Sequence, residues 1–122
     1  LRSHWSHKSI AVLAGMGSFG LHHMVITDAG CAGRFGSLVL DAAMSIEKAL
    51  PKERCAYKVS GACLDCVLAC PVQALDPVEP FDRRACWNLC LANSHEFADL
   101  HGAAQVCGKC AVAGPCALQS AV

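Results

Sequence analysis

Short apolar stretches, broken by glycine, proline and polar residues, run the length of this chain. His7 to Ala14 (HKSIAVLA) reads as a short helix stopped by Gly15 and Gly17. His22 to Thr27 (HHMVIT) reads as a strand, since β-branched residues gather at its end, and of His22 and His23 one should point inward and one outward. Asp28-Ala29-Gly30 is a turn signal, and Arg34 to Leu40 (RFGSLVL) reads as the returning strand of a hairpin. Ala42 to Leu50 reads as a further helical stretch.

Beyond the polar, proline-led joint Pro51-Lys52-Glu53-Arg54 the pattern changes. Cys66 to Ala69 and Val72 to Leu75 read as single helical turns separated by Pro71. Asp76-Pro77-Val78-Glu79-Pro80 is a rigid connector, and Asp82 to His95 reads as a helix with Asp82 as its N-cap. Cys107 to Cys116 lies in a glycine-rich loop. The expected fold class is therefore α+β. A helix-and-hairpin segment, residues 1–50, packs on a loop-rich module, residues 51–122.

Composition sharpens that division. Of ten cysteines, Cys31 alone lies in the first segment. Aromatic residues make up only 6% of the chain, so metal or cross-links are needed to hold so small a core together. No apolar run of about 18 residues suggests a membrane span. The start, Leu1-Arg2-Ser3-His4-Trp5, has no apolar signal region and no methionine, as expected of a cytoplasmic fragment. In that setting cysteines favour metal over a secreted disulfide scaffold. Net charge is zero, which offers no basic field for nucleic acid.

The strongest chemical signal is Cys63-x2-Cys66-x3-Cys70-Pro71. A bacterial ferredoxin run reads C-x2-C-x2-C-x3-C-P, and its fourth cysteine serves the other cluster of a two-cluster protein. Ser60 stands where the first cysteine of that run belongs; Cys55 is the substitute, with Gly61 letting the loop fold back. With Cys86, Cys90 and Cys107-x2-Cys110-x5-Cys116 downstream, there are thiols enough for two sites of four cysteines each. One [4Fe–4S] cluster is expected on Cys55, Cys63, Cys66 and Cys116, and the other on Cys70, Cys86, Cys107 and Cys110. Cys90, one helical turn after Cys86, is the alternative ligand there. Zinc is the rival metal, since both C-x2-C pairs also fit zinc knuckles. Cys31 reads as a buried structural thiol, and Trp87 as a shield over a cluster.

The motifs Ala14-Gly15-Met16-Gly17-Ser18-Phe19-Gly20, Cys31-Ala32-Gly33-Arg34-Phe35-Gly36-Ser37, Cys63-x2-Cys66-x3-Cys70-Pro71 and Arg83-Arg84-Ala85-Cys86 occur in this order. Together they resemble the C-terminal part of the epoxyqueuosine reductase-like family of cobalamin-linked iron–sulfur proteins, over residues 7–116. The resemblance implies a bicluster ferredoxin-like module that passes electrons to a corrinoid held mainly by an upstream domain. It also implies a redox donor such as ferredoxin or flavodoxin. Gly15, Gly17 and Gly20 match a dinucleotide fingerprint by letters alone, in the wrong strand-and-helix context; the resemblance assigns their loop to the corrinoid face. Ser60 and the final C-x2-C-x5-C spacing depart from the queuosine enzymes and mark a side branch, so the tRNA substrate does not carry over. A stand-alone ferredoxin-like carrier and a zinc-stabilised interaction domain are the other readings.

Overall fold

The computed structural model describes residues 3–45, 52–100 and 104–122. Helix α1, His7–Leu13, begins where the Ser6 hydroxyl accepts the Ser9 N–H at 3.2 Å. It stops at Gly15, which takes a left-handed φ of 74°. Strands β1, Ser18–Phe19, and β2, Val25–Ile26, then pair antiparallel, Ser18 opposite Ile26 and Phe19 opposite Val25. Gly20 N–H to Met24 O (2.9 Å) and His23 N–H to Gly20 O (3.0 Å) close the hairpin.

The hairpin is real, but its strands are not those expected. Strand β2 pairs with the segment before it, and residues 34–40 form neither strand nor helix. The competing interaction is visible downstream. Cys31 N–H donates to the Cys116 carbonyl at 2.9 Å and Ala32 N–H to the Ala117 carbonyl at 2.9 Å, drawing the chain toward its C-terminal segment instead of back along β2. Leu38 and Val39 are left exposed at 82% and 87%, so this β-prone run has no apolar face to lie on. Of the helix expected over Ala42 to Leu50, Ala42–Ser45 is not helical and the remainder lies outside the described residues.

In the second segment α2, Ala56–Ser60, is a helix that the pattern did not suggest; Gly61 ends it at a φ of 74°. Helix α3, Asp65–Leu68, takes the place of the turn expected over Cys66 to Ala69. Val72 to Leu75 is not helical, because Gln73 adopts a φ of 50°, outside the right-handed helical region. Helix α4, Arg83–Glu96, starts at Asp82, whose Oδ1 accepts the N–H groups of Arg84 and Ala85, each at 2.9 Å. Helix α5, Lys109–Val112, and a 3₁₀ turn, Pro115–Ala117, occupy the glycine-rich loop.

The core is small and sits at the sulfurs. Ile26, Cys31, Cys55 and Ala111 form it, with Leu21, Met24, Tyr57 and Cys116 packed around them. Among large side chains Val25 and Ile26 are fully buried. Each contributes roughly 1.5–3 kcal/mol, little against an ordering cost of about 1–2 kcal/mol for every residue. The architecture is a mixed α+β arrangement of short helices around a two-stranded hairpin, and its centre is built largely of cysteine.

Candidate metal centre

Four thiols surround one closed cavity. Cys55 lies at the N-cap of α2, Cys63 in the loop before α3 at a φ of 82°, Cys66 within α3 and Cys116 in the 3₁₀ turn. All four line a cavity of about 20 Å³ together with Leu21, His22 and Ile26. Organic ligands occupy pockets of about 300 Å³ or more, so this space is too small for a substrate, and the four thiols that line it make it a candidate metal centre. Burial pushes the Cys66 thiol up to about 11, and the neighbouring sulfurs of Cys116, Cys55, Cys63 and Cys110 add to the rise. Burial also raises Cys116, against the lowering effect of a hydrogen bond from Cys31, and the thiols of Cys55 and Cys63 add to the rise.

Cys70, Cys86, Cys90, Cys107 and Cys110 gather in a second region, which Cys110 joins to Cys66 and Cys31. Burial raises the Cys86 thiol, followed by the proximity of Cys90, Cys110, Cys107 and Cys70. Cys110 is raised by burial, then by Cys107 and Cys70. This group is nearer the surface: Cys90, Cys107 and Cys110 border one open groove, and Cys86 and Cys90 another with Trp87 and Phe81. Trp87 is itself exposed on the wall of that groove.

Local backbone explains how neighbours in sequence part company. Helix α3 stops at Leu68, and Gln73 N–H closes a turn on the Cys70 carbonyl at 3.1 Å. The Cys70 sulfur then accepts the Ala74 N–H at 3.2 Å. Cys55 is held from behind by Glu53, whose Oε1 accepts from the Ser18 hydroxyl (2.8 Å), Arg54 N–H (2.9 Å) and Cys55 N–H (3.0 Å). Burial works against the Glu53 carboxylate, but these hydrogen bonds and Lys58 outweigh it and hold the group below its ordinary range. Arg54, itself buried, reaches Asp28 at 3.0 Å and ties the second segment to the turn that follows β2.

Buried thiols with raised values stay protonated at neutral pH, and a bound cation is what makes the thiolates favourable. Sulfur-only donor sets select zinc or iron–sulfur centres over hard cations. Both groups fit that class.

Two residues beside the first group were not expected there. His22 Nε2, Cys31 Sγ and Cys116 Sγ all lie within 4.8 Å of one another, residue types and spacing able to hold a metal ion. Burial, then His23, Lys8 and Lys58, lowers His22 to about 4, while His23 is exposed and stacks on Phe81 at 4.7 Å. Burial, then Cys116 and Cys110, pushes the Cys31 thiol up to about 12. Only the Gly30-Cys31 juxtaposition in the sequence hints at this position, and nothing in spacing links it to Cys116. At Gly17 and Gly20 the space a side chain would need is taken by the chain itself: by the Ile26 carbonyl at Gly17, and by the His22 ring and Ile26 at Gly20. Close packing of the hairpin thus accounts for these two glycines, and the left-handed turn accounts for Gly15.

No helix among the described residues is long and apolar enough to cross a membrane. Comparison with protein families, with curated proteins and with solved structures finds no match to this chain.

Proposed function

We propose that the chain is an iron–sulfur electron-transfer module carrying two [4Fe–4S] clusters, on Cys55, Cys63, Cys66 and Cys116 and on Cys70, Cys86, Cys107 and Cys110. One observation carries the reading: Cys66 lines the small cavity with Cys55, Cys63 and Cys116, whereas Cys70, four residues on, does not. A two-cluster ferredoxin run needs that interleaving, and a zinc knuckle does not. When bound, such clusters supply one-electron transfer.

The chain's own part is to hold thiols at two adjoining sites and to control water. Leu21, Ile26 and Pro115 close the first site. The second borders open grooves, so the side near Cys86 and Cys90 is where a donor such as ferredoxin or flavodoxin would deliver electrons. The motif resemblance supports a cytoplasmic, cobalamin-linked reductase of epoxyqueuosine reductase-like type, with the corrinoid on an upstream domain. The exposed Leu13, Met16, Leu38, Val39 and Leu40 are consistent with a first segment that rests against further protein. In such an enzyme the substrate chemistry would fall to the corrinoid on the upstream domain.

A second reading, a zinc-stabilised interaction domain, is favoured by the convergence of His22, Cys31 and Cys116. Anaerobic metal and sulfide analysis separates the two. The cluster reading expects about eight iron and eight acid-labile sulfide per chain, two cubanes' worth. Stoichiometric zinc without sulfide would overturn it.

A further inference from the structure

His22 is buried at 4% exposure, and its ring has partners on both nitrogens. On one side the Met24 backbone N–H donates to Nδ1 at 3.1 Å. On the other, Nε2 lies 3.4 Å from Cys31 Sγ and 3.6 Å from Cys116 Sγ. A backbone N–H can only donate, so Nδ1 must be the bare, accepting nitrogen. The proton of the neutral ring therefore sits on Nε2 and points at the two sulfurs. A metal could take Nε2 only after that proton moved to Nδ1, where it would face the Met24 N–H.

The ring is also fixed in place. A side chain at Gly20 would stand 2.6 Å from His22 Cε1 and 3.0 Å from Nδ1, so glycine is what lets the imidazole lie flat against the hairpin turn. The two sulfurs are not equal acceptors. Cys31 is a thiol whose S–H has the Ala111 carbonyl at 3.4 Å. A metal-bound thiolate carries charge and accepts more strongly than a neutral thiol.

We infer that His22 is a positioning residue that donates its Nε2–H to the Cys116 thiolate and thereby raises the reduction potential of the cluster bound there. The inference rests on the two-cluster reading above. Hydrogen bonds to cluster sulfurs are an established lever on potential, and the sign follows from charge. Reduction adds an electron to the cluster and its thiolates, so a donor stabilises the reduced form more than the oxidised one. His22 would thus set the two clusters apart in potential, because its contact is with Cys116 of the first site, while His23, which borders the groove beside Cys86, makes no hydrogen bond to a sulfur of the second site among the described residues.

The test is a potentiometric EPR titration of anaerobically prepared protein, comparing the unsubstituted chain with His22→Leu and His22→Gln. In His22→Leu one cluster should titrate at lower potential, with the reduced-to-oxidised ratio at the original midpoint falling roughly three- to tenfold, tenfold being 59 mV for one electron. The other cluster should be unmoved, and His22→Gln, which keeps an N–H donor, should recover much of the shift. Pulsed EPR on unsubstituted protein containing ¹⁵N-histidine decides independently should the Leu variant fail to assemble: a weak nitrogen coupling across a hydrogen bond is expected. Unshifted potentials with both clusters present, or a strong coupling showing nitrogen bound to iron, would overturn the role of His22 alone. Unsubstituted protein without iron and sulfide would overturn the two-cluster reading, and this inference with it.

Discussion

Two glycines with similar backbone angles carry very different burdens. Gly61 has a φ of 74° and open space where a side chain would go, whereas Gly30 has a φ of 86° and packs directly on the C-terminal segment. A Cβ at Gly30 would run into the Ala117 carbonyl and stand 2.6 Å from the Gln119 nitrogen. The left-handed conformation costs an alanine roughly 1–2 kcal/mol, and that is the loss expected for Gly61→Ala in a urea titration. Gly30→Ala should cost clearly more, because the backbone next to Cys116 has to move. It should also weaken metal retention, which Gly61→Ala should leave nearly intact; equal losses for the two variants would show that the Gly30 contact has little weight.

Among the elements, α4 shows how local chemistry serves the site. It has no buried residue, and its start depends on the two N–H groups that Asp82 accepts. The same helix carries Cys86 and Cys90, one turn apart. An N-cap of this kind is worth about 1 kcal/mol, so Asp82→Ala should destabilise the metal-loaded protein by about that amount while Asp82→Ser largely restores it. Fraying the first turn loosens Cys86 more than any thiol of the first group, none of which lies on α4, so chelator-driven metal loss should accelerate at the second group. Loss at equal rates from both groups would argue that Cys86 takes no part in holding metal.

At the scale of the whole molecule, two sulfur groups share one small body. If each holds a cluster, Cys70→Ala and Cys107→Ala should abolish the same reduced-cluster EPR signal. Cys55→Ala and Cys116→Ala should abolish the other, and Cys90→Ala neither. Two intact cubanes in the Cys55→Ala protein would remove Cys55 from the ligand set, and a lost cluster in Cys90→Ala would exchange Cys90 for Cys86. The enclosed first site, next to His22, and the open second one, beside Trp87, would also give two such clusters different access to solvent.

What could be read from the sequence was local. Helix α1 and its glycine stop, and the Asp82 cap and α4, depend on residues within a turn or two; His22 and His23, expected to alternate along a strand, lie instead in the turn before β2, where His22 is buried and His23 exposed. The cysteine spacings suggested a grouping of the thiols, and four of those expected together, Cys55, Cys63, Cys66 and Cys116, line one cavity. Tertiary contacts decided the rest. Strand β2 lies beside Ser18–Phe19 because Cys31 and Ala32 give their N–H groups to carbonyls 85 residues further on. Likewise, His22 meets Cys116 across 94 residues of chain. Periodicity and spacing carry information over one element, whereas such approaches depend on which surfaces are left to bury once every element has formed.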